Sequence, residues 1–462
     1  MSTETLRVAI VGAGPSGFYA ADHLLRQERP VAVDLFDRLP TPFGLVRGGV
    51  APDHPKIKSV TRVYDKVAAH PAFRFFGNVT AGRDISADEL ARHYHAVLWA
   101  VGAESDRALD IPGEALPGSH TATEFVGWYN GHPDFQDRTF DLTQQAAAVV
   151  GVGNVAMDVT RILASDPEEL AGTDITPTAL EALRRSRVRT IYLLGRRGPA
   201  QAAFTNPELK ELGELAQADV HLRPEDAALD AASRAALEAE PDREAEKNLT
   251  TLAEYVARGT QGRPRRIEIR FCTSPLRIEG TGRVERLVVG RNRLEGGPGG
   301  VRAVATGGEE VLDVGLVFRS VGYRAQPVPG LPFDTKRAVI PHDRGRVLEG
   351  PGGAPRSGHF VAGWIKRGPS GIIGTNKPDA VETVSTLLED ADRGVLPGPD
   401  RPGPEAVPAL LRSRGVEVVE WKDWQALDAH EVAAGARRGA PREKVTSVGE
   451  MLAIIRRARE GQ

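Results

Sequence analysis

The stretch VAIVGAGPSG, residues Val8–Gly17, decides the fold of the N-terminal part of the chain. The apolar run Leu6–Val11 that leads into it is typical of a buried parallel strand. From Ser16 to Arg26 the apolar residues then recur at helical spacing. A strand, a glycine-rich turn and a helix in this order form the G-x-G-x-x-G fingerprint of dinucleotide-binding proteins.

The three glycines of this first fingerprint have different tasks. Gly12 allows the tight turn, Gly14 lets the backbone approach a pyrophosphate, and Gly17 lets the helix pack closely on the strand. Asp37 ends the next predicted strand, 31–37, where a carboxylate accepts hydrogen bonds from ribose hydroxyls. Since an acidic side chain there disfavours a 2′-phosphate, the sequence predicts FAD or NAD at this site rather than NADP.

A second fingerprint lies in VVGVGNVAMDV, residues Val149–Val159, again between a predicted strand and a predicted helix. Ala156 stands at its third position, which an alanine fills while still allowing close packing. The next predicted strand, RTIYLLGRRG (189–198), ends in Arg196 and Arg197 and carries no acid. Paired guanidiniums suit a 2′-phosphate because they donate charge-assisted hydrogen bonds. This site is therefore predicted to bind NADP(H).

The bulk composition agrees with an enzyme of several domains. The chain has 462 residues, 41% of them hydrophobic and 26% charged, and its net charge of −3 gives no basic field for nucleic acid. A single cysteine, Cys272, excludes a disulfide framework, a dithiol relay and a cysteine-ligated cluster, and no metal site is predicted. The N-terminus lacks a signal-peptide pattern and no stretch is apolar enough for a membrane span, so a cytoplasmic enzyme is expected.

The rest of the chain gives coarser expectations. A helix is predicted to begin at Pro177, and 213–262 is interpreted as solvated helices. Alternating apolar residues from Arg266 to Glu295 predict an antiparallel element. We expect a loop at 352–358, a linker at 397–404 and a helical appendage of unknown purpose over 405–462.

Several further segments are distinctive: LPTPFGLVRGGVAPDHPKIK (39–58), FRFFGNV (73–79), AVGAESDRALDIPGE (100–114), GRRGPAQAAFTNPELKEL (195–212), RSVGYR (319–324) and VAGWIKRGPSGIIGTNKPDA (361–380). Together they resemble the ferredoxin–NADP reductases of the adrenodoxin-reductase type, especially the actinobacterial ones. The resemblance covers about residues 5–390, and the C-terminal part is similar more loosely.

This resemblance implies an α/β protein with two Rossmann-like dinucleotide-binding domains. The FAD domain would be split into 1–105 and 320–390, the NADP domain inserted as 106–319, and 391–462 left as a C-terminal helical extension. The implied reaction passes a hydride from NADPH to FAD. Single electrons would then go to a ferredoxin or a similar small iron–sulfur carrier.

The resemblance also implies cofactor contacts. For FAD these are Ser16, Asp37, Leu45, the backbone from Val79 to Ala81, Trp364, and the backbone of Gly371, Ile372 and Ile373. For NADP they are Arg107, Val152, Gly153, Asn154, Val155, Arg196, Arg197 and Glu208. Asp37 departs from the glutamate expected at its position, but its shorter side chain still reaches a ribose.

His54 and Glu211 match polar residues that the resembled family places near the nicotinamide and the flavin. Hydride transfer itself needs no side-chain proton donor, so these two would orient the nicotinamide amide or tune proton delivery to the reduced flavin. The alternative for His54 is a surface histidine in the loop PDHPK, and the alternative for Glu211 is a solvated helix residue.

Two further questions stay open at this point. A basic docking face for an acidic ferredoxin has as candidates Arg184, Arg185, Arg187, Arg189, Arg263, Arg265 and Arg266, unless these are only an exposed charged surface. The alternative functions are an FAD- and NADPH-dependent monooxygenase or oxidase that uses oxygen, and a dinucleotide-sensing or scaffolding module.

Overall fold

The structure is a computed structural model that describes residues 4–296, 300–401 and 403–461. The strands are β1 Leu6–Val11, β2 Val31–Phe36, β3 Phe73–Phe76, β4 Ala96–Trp99, β5 Ser105–Asp106, β6 Ser119–Thr121, β7 Ala146–Val150, β8 Thr190–Leu194, β9 Ala218–Leu222, β10 Arg265–Arg270, β11 Thr273–Glu279, β12 Arg286–Glu295, β13 Arg302–Asp313, β14 Leu316–Arg319, β15 Tyr323–Arg324, β16 His342–Asp343, β17 Arg346–Leu348 and β18 Pro355–Val361.

The α-helices are α1 Pro15–Leu25, α2 Leu45–Gly48, α3 Pro55–Lys58, α4 Thr61–Ala68, α5 Ala87–His93, α6 Ala122–Tyr129, α7 Asn154–Ala164, α8 Pro167–Ala171, α9 Pro177–Arg184, α10 Asn206–Glu214, α11 Pro224–Ala227, α12 Ala231–Ala239, α13 Arg243–Arg258, α14 Trp364–Arg367, α15 Asn376–Asp392, α16 Ala406–Ser413, α17 Trp421–Ala436 and α18 Val448–Glu460. Short 3₁₀ helices occur at Pro133–Phe135, Pro199–Gln201 and Ile373–Thr375. Among the described residues, every helix is too short or too polar to cross a bilayer.

The chain divides into two compact units. The first comprises Met1–Val50, His54–Ser105 and Tyr323–Gln462, and the second Ala51–Asp53 and Asp106–Gly322. The chain thus leaves the first unit once for a long excursion and then returns to it. Residues 391–462, which the sequence analysis sets apart as an extension, belong to the first unit and are helical over most of their length.

The first unit is built on a seven-stranded sheet with the order β16-β17-β18-β4-β1-β2-β3. Strand β1 pairs in parallel with β2 on one side and with β4 on the other. Its residues Val8, Ala9 and Ile10 are completely buried, because both faces of a parallel sheet are covered by other elements. Among the described strands of this sheet, antiparallel pairing occurs at one side, where β16 pairs with β17 and β17 pairs with β18. Strand β18 begins at Pro355, inside the stretch expected to be a loop, so that expectation was partly wrong.

The second unit repeats this plan in a six-stranded parallel sheet with the order β6-β14-β7-β8-β10-β9. Strand β10 lies between β8 and β9, so the interpretation of its residues as part of an antiparallel element was wrong. Its alternation arises because Ile267 and Ile269 enter the core, while Glu268 and Arg270 form an ion pair on the other face. Period-two alternation reports a face but gives no direction for the partner strand.

The antiparallel element exists, but it is formed by β11, β12 and β13 and therefore begins only at Thr273. The helix predicted from Pro177 is confirmed as α9. Within 213–262 the structure contains helices, as expected, and also the strand β9, which was missed. That strand is short and lies at the sheet edge, so its apolar signal is weak.

Candidate dinucleotide-binding sites

The first fingerprint forms the loop between β1 and α1. Gly12 has φ +111°, and a Cβ atom there would lie 2.3 Å from the carbonyl oxygen of Ala100, the residue after β4. A Cβ atom on Gly17 would lie 2.0 Å from the carbonyl oxygen of Gly12. The same test at Gly14 finds open space. The backbone is therefore packed tightly on two sides and left accessible at the position that approaches a pyrophosphate.

The second fingerprint has the same geometry in the loop between β7 and α7. Gly151 has φ +129°, and its Cβ would lie 2.0 Å from the carbonyl oxygen of Ser320, the residue after β14. Gly153 again faces open space. Ala156 is completely buried in the core. The alanine at the third position is therefore accommodated by the packing, and the loop is not a degraded copy of the first.

Both loops end at an open helix N-terminus. The N-cap residues of α1 and α7 are Gly14 and Gly153, and no described side chain caps either helix. The first N–H groups of these helices thus remain available, and together with the helix dipole they favour a phosphate. Each loop also lies at the carboxyl end of a strand flanked by neighbours on both sides, which is where open α/β sheets bind their ligands.

Asp37 is held beside the first loop. One carboxylate oxygen accepts a hydrogen bond from the Ala13 N–H at 2.9 Å, and the other accepts one from the Leu39 N–H at 2.9 Å. Burial raises the pKa of Asp37 to about 6, although these two N–H groups act in the opposite direction. Each oxygen keeps one lone pair for a further donor, as a ribose diol would require.

The remaining FAD residues implied by the sequence lie around this loop in the first unit. The Ser16 hydroxyl donates a hydrogen bond to Oδ1 of Asn376 at 3.0 Å, which joins α1 to the stretch that follows Trp364. Trp364 is half-buried and its Nε1 donates to the carbonyl oxygen of Ser370 at 3.2 Å. Next to it Gly371 and Ile372 are exposed, and Ile372 keeps 59% of its surface accessible. An apolar edge open beside the fingerprint suits a flat aromatic ring.

Leu45, Val79, Ala81 and Ile373 complete this set. Leu45 begins α2, and Ile373 opens the short 3₁₀ helix before α15. Val79 is buried and its N–H donates to the carbonyl oxygen of Asp37 at 2.9 Å, while Ala81 is half-buried two residues later. The backbone after β3 is thus fixed to the same strand end that carries Asp37.

The arginine pair predicted to read the 2′-phosphate lies on an anchored loop. Arg196 and Arg197 are exposed, and no described residue forms an ion pair with either guanidinium. Their backbone, in contrast, is held: the Asn292 side-chain amide donates to the carbonyl oxygen of Arg196, and the Cys272 N–H donates to that of Arg197, both at 2.9 Å. The Gly198 N–H donates to the side chain of Gln201 at 3.2 Å. Free cations on a fixed backbone are preorganised for a dianion.

Residues 203–205, which follow the arginine loop, form hydrogen bonds with the second fingerprint. The Ala203 N–H donates to the carbonyl oxygen of Val152, and the Asn154 side chain accepts from the Thr205 N–H, both at 2.8 Å. Val155, the next fingerprint residue, packs partly buried against the core. Arg107 is exposed, and its N–H donates to the carbonyl oxygen of Gly322 at 2.9 Å.

A buried arginine that the sequence analysis missed lies on α7. Only 4% of the Arg161 side chain is exposed, and it contacts two carboxylates of the chain before α10. Nε and Nη2 donate to Asp53 at 2.7 and 3.0 Å, and Nη2 also donates to Asp158 at 2.7 Å. On α10, Glu208 and Glu211 lie 3.0 and 3.4 Å from Nη1. The surrounding carboxylates outweigh the effect of burial and hold the pKa of Arg161 well above its ordinary value.

This cluster fixes two of the residues implied by the resemblance. Glu208 is buried against Arg161, and Glu211, 38% exposed, stands one turn further along α10. His54 belongs to the first unit, where it is half-buried and precedes α3. The sequence carried one signal of the cluster, since Asp158 and Arg161 are an i, i+3 charged pair within an otherwise apolar helix.

Comparison with known proteins agrees with this geometry. A family model described as FAD-NAD(P)-binding matches residues 9–56, which include the first fingerprint and Asp37. NADPH-ferredoxin reductase FprA of Mycobacterium leprae is 48% identical over 459 residues, covering 97% of this chain and 98% of that relative. The chain belongs to the NADPH-ferredoxin reductase family. The human mitochondrial NADPH:adrenodoxin oxidoreductase is 44% identical over 469 residues, covering 98% of this chain and 92% of that relative.

Solved structures of this reductase family have the same fold. The FprA oxidoreductase of Mycobacterium tuberculosis superposes with a TM-score of 0.90 at 46% identity, covering 98% of this chain and 99% of that chain. The structure of the same relative in complex with NADPH gives a TM-score of 0.89 at 45% identity, covering 98% and all of that chain. The doubly Rossmann-like α/β fold expected from the sequence is thereby confirmed.

Most arginines considered as a docking face already have partners within the protein. Arg184 pairs with Glu168 at 2.8 Å, and Arg185 pairs with Glu181 at 2.6 Å. The others that are engaged are Arg263, with the carbonyl oxygens of Leu215 and Ala218; Arg265, with those of Ala164 and Ser165; and Arg266, with Glu268. Arg187 and Arg189 are exposed and have no ion-pair partner among the described residues, although Nη1 of Arg189 donates to the carbonyl oxygen of Val188 at 3.1 Å.

Proposed function

We propose that this protein is a flavoenzyme that oxidises NADPH and delivers single electrons to a ferredoxin or a similar small iron–sulfur carrier. The observation that carries the proposal is the contrast between its two matching loops. Both have an open glycine and an uncapped helix N-terminus, but a carboxylate, Asp37, flanks the first and an arginine pair flanks the second. Membership of the reductase family supports the assignment of FAD to the first loop and NADP(H) to the second.

The residues of the first unit fit FAD. The open backbone at Gly14 and the free N–H groups of α1 would bind the pyrophosphate, and Asp37 would accept from the adenosine ribose. The exposed edge formed by Gly371 and Ile372, with Trp364 behind it, would hold the isoalloxazine end. When bound, FAD supplies the chemistry that converts a two-electron hydride donor into a source of single electrons.

The residues of the second unit fit NADP(H). Gly153 and the N-terminus of α7 would bind the pyrophosphate, while Arg196 and Arg197 would bind the 2′-phosphate. Asn154, held by the Thr205 N–H, fixes the entry to the helix. Arg107 and Glu208 are proposed as further contacts. In hydride transfer the chain's own residues would orient the nicotinamide towards the flavin and exclude water.

For His54 and Glu211 we propose the roles that the resemblance implies. These two residues would orient the nicotinamide amide or tune proton delivery to the reduced flavin. The hydride-transfer step itself needs no proton from either residue.

One assay tests the function as a whole. The purified protein is expected to be yellow from bound FAD and to reduce cytochrome c faster with NADPH than with NADH. Ferredoxins from the host are expected to increase this rate. A colourless protein that binds no FAD would overturn the proposal, and an absence of any ferredoxin effect would overturn the partner. Oxygen consumption coupled to hydroxylation of a small substrate would instead identify a monooxygenase.

A further inference from the structure

The C-terminal segment, defined here as residues 417–445, shares a hydrophobic core with the first fingerprint. It contains α17 and the turn after it. Its buried side chains Trp424, Leu427 and Val445 belong to the same cluster as Phe18 of α1. A segment to which the sequence analysis could assign no purpose thus packs against the helix that begins at the first dinucleotide loop.

A buried ion pair connects this segment to α2. Nη1 and Nη2 of Arg47 donate to the two carboxylate oxygens of Glu431 at 2.8 and 2.5 Å. The Glu431 side chain is completely buried and that of Arg47 is 10% exposed. The Val445 N–H also donates to Glu431 at 2.9 Å. Burial alone would raise the pKa of Glu431, but Arg47, this N–H and Arg442, whose Nη1 lies 3.4 Å from Oε2, outweigh it and lower the pKa. The carboxylate is therefore ionised and fully bound by its neighbours.

The stretch 43–48, which contains α2, touches the first fingerprint directly. The Phe43 N–H donates to the carbonyl oxygen of Ala13 at 2.8 Å, and a Cβ atom on Gly44 would lie 3.0 Å from Cα of Gly14. Phe43 has φ +84°, a conformation that a residue other than glycine keeps only when its surroundings hold it. Trp421 and Trp424 of the C-terminal segment pack edge-on against its ring, with centroids 6.0 and 5.8 Å away.

The C-terminal segment also holds the second loop implied in FAD binding. Val419 and Gly77 exchange two backbone hydrogen bonds of 2.8 and 3.0 Å just after β3. The Asn78 side chain donates to the carbonyl oxygen of Glu417 at 2.9 Å. Val79, the next residue, is one of the proposed FAD contacts. The segment therefore anchors both stretches, 43–48 and 77–79, that flank the Asp37 end of the site.

We propose that the C-terminal segment is a positioning element for FAD, and that Glu431 and Asn78 are the positioning residues through which it holds the two loops. None of these residues needs to touch the cofactor. The segment keeps Phe43 and Gly44 against the fingerprint and Val79 beside Asp37, so that the apoprotein already has the shape that FAD binds. This inference rests on the proposed function, because it requires the first unit to be the FAD site.

The test compares FAD affinity in two isosteric variants of the full-length protein. In Glu431→Gln the side chain keeps its size but loses the charge that binds Arg47. Hydrogen bonds to charged groups correspond to about tenfold to 100-fold in an equilibrium, so the apoprotein should bind FAD at least about tenfold more weakly. Affinity is measured by quenching of FAD fluorescence on titration with apoprotein, and retention by the flavin-to-protein absorbance ratio after gel filtration.

Asp390→Asn is the matched control. Asp390 is buried in the same unit and binds Arg346 through two hydrogen bonds of 2.7 and 2.9 Å, but it contacts neither loop. We expect this variant to bind FAD as the unchanged protein does, even where its thermal stability falls. Equal losses of FAD affinity in both variants, or full FAD affinity in Glu431→Gln, would overturn the inference.

A second variant decides the matter where Glu431→Gln does not fold. Asn78→Gly removes the contact with Glu417 and keeps a residue that tolerates the left-handed φ of +60° at this position. Weaker FAD binding at unchanged affinity for NADP⁺ supports the inference, and unchanged FAD binding overturns it. An unchanged wild-type protein that carries no FAD would refute the proposed function itself, which separates the two failures.

Discussion

Arg161 binds Asp53 with two hydrogen bonds, from Nε at 2.7 Å and from Nη2 at 3.0 Å, across 108 positions of the chain. The same guanidinium binds Asp158 and Glu208, so one buried cation holds α7, α10 and the short stretch 51–53 together within the second unit. Removing such a buried cation destabilises a protein more than the intact ion pairs stabilise it, because the remaining carboxylates would be buried and unpaired.

Arg161→Met is therefore expected to lower the free energy of unfolding by about 3–5 kcal/mol, since it removes the partner of several carboxylates at once. Urea denaturation monitored by circular dichroism measures the change. Arg302→Met is the control, because Arg302 pairs with Glu295 at the surface and its removal should change the unfolding curve little. Curves that shift equally for the two variants would contradict the assigned role of Arg161.

Arg196→Ala should raise the KM for NADPH by about tenfold to 100-fold, because it removes a charge-assisted contact to the 2′-phosphate. The KM for NADH, which lacks that phosphate, should stay within about twofold. Steady-state kinetics with both nucleotides provide the comparison. Matched increases for NADPH and NADH would show that Arg196 does not read the phosphate.

Asn292→Ala should also weaken NADPH binding, although Asn292 is not proposed to contact the nucleotide. It removes the side-chain hydrogen bond to the carbonyl oxygen of Arg196, so the arginine loop loses one anchor. We expect the KM for NADPH to rise about two- to tenfold, with kcat and the KM for NADH nearly unchanged. Ser274→Ala removes another partner of the Asn292 amide but leaves the contact to Arg196. An effect of Ser274→Ala as large as that of Asn292→Ala would exclude a specific anchoring role.

FAD binding to the apoprotein should strengthen as the pH rises through about 6, the pKa to which burial raises Asp37. Below this value the carboxyl group is mostly protonated in the apoprotein, and above it the carboxylate is ready to accept from ribose hydroxyls. Because binding then favours the ionised form, affinity can change by at most about tenfold per pH unit below the pKa. Fluorescence titrations between pH 5 and about 8 test this.

Asp37→Asn provides the control for the pH profile. An amide at this position has no proton to lose in this range, so the affinity for FAD should be lower and nearly independent of pH. A variant that kept the original pH profile would assign the titration to another group.

Charge reversal at the two docking candidates without an ion pair among the described residues, Arg187 and Arg189, should weaken only the interaction with the protein partner. In the double variant Arg187→Glu, Arg189→Glu we expect the KM for an acidic ferredoxin to rise about fivefold, since reversed charges slow association of complementary surfaces. Reduction of a small dye should not change. Arg437→Glu, at another exposed arginine without an ion-pair partner among the described residues, is the comparison. Equal effects of both variants on ferredoxin would contradict a specific docking face.

The sequence allowed both fingerprints to be predicted because their constraints are local. At both Gly12 and Gly151 a Cβ atom would clash with a carbonyl oxygen at the end of a neighbouring strand. This clash is a property of the turn itself, so the glycine marks the turn in the sequence. The direction of β10 was predicted wrongly, since the alternation of Ile267 and Ile269 is compatible with either direction of pairing.

The long-range contacts were beyond the sequence for a physical reason. The apolar spacing of α17 predicts a helix with a buried face, but it contains no information on which surface covers that face. The sequence likewise does not distinguish Glu431 from a solvated helical glutamate, because its partner Arg47 is far away in the chain. The docking arginines show the converse error: Arg265 looks like a surface cation, but in the structure it binds the carbonyl oxygens of Ala164 and Ser165 at the end of α7.

The route of the chain at Ser105 has a consequence for the conformational entropy of the first unit. The Ser105 hydroxyl donates to the carbonyl oxygen of Arg324 at 2.8 Å, so the two ends of the Asp106–Gly322 excursion meet on the first unit. In the chain order of the first unit, Asp106–Gly322 is therefore one long insertion between two neighbouring positions. Since loop closure costs only about 0.6 kcal/mol for each doubling of length, an insertion of this length destabilises the first unit little more than a short loop would.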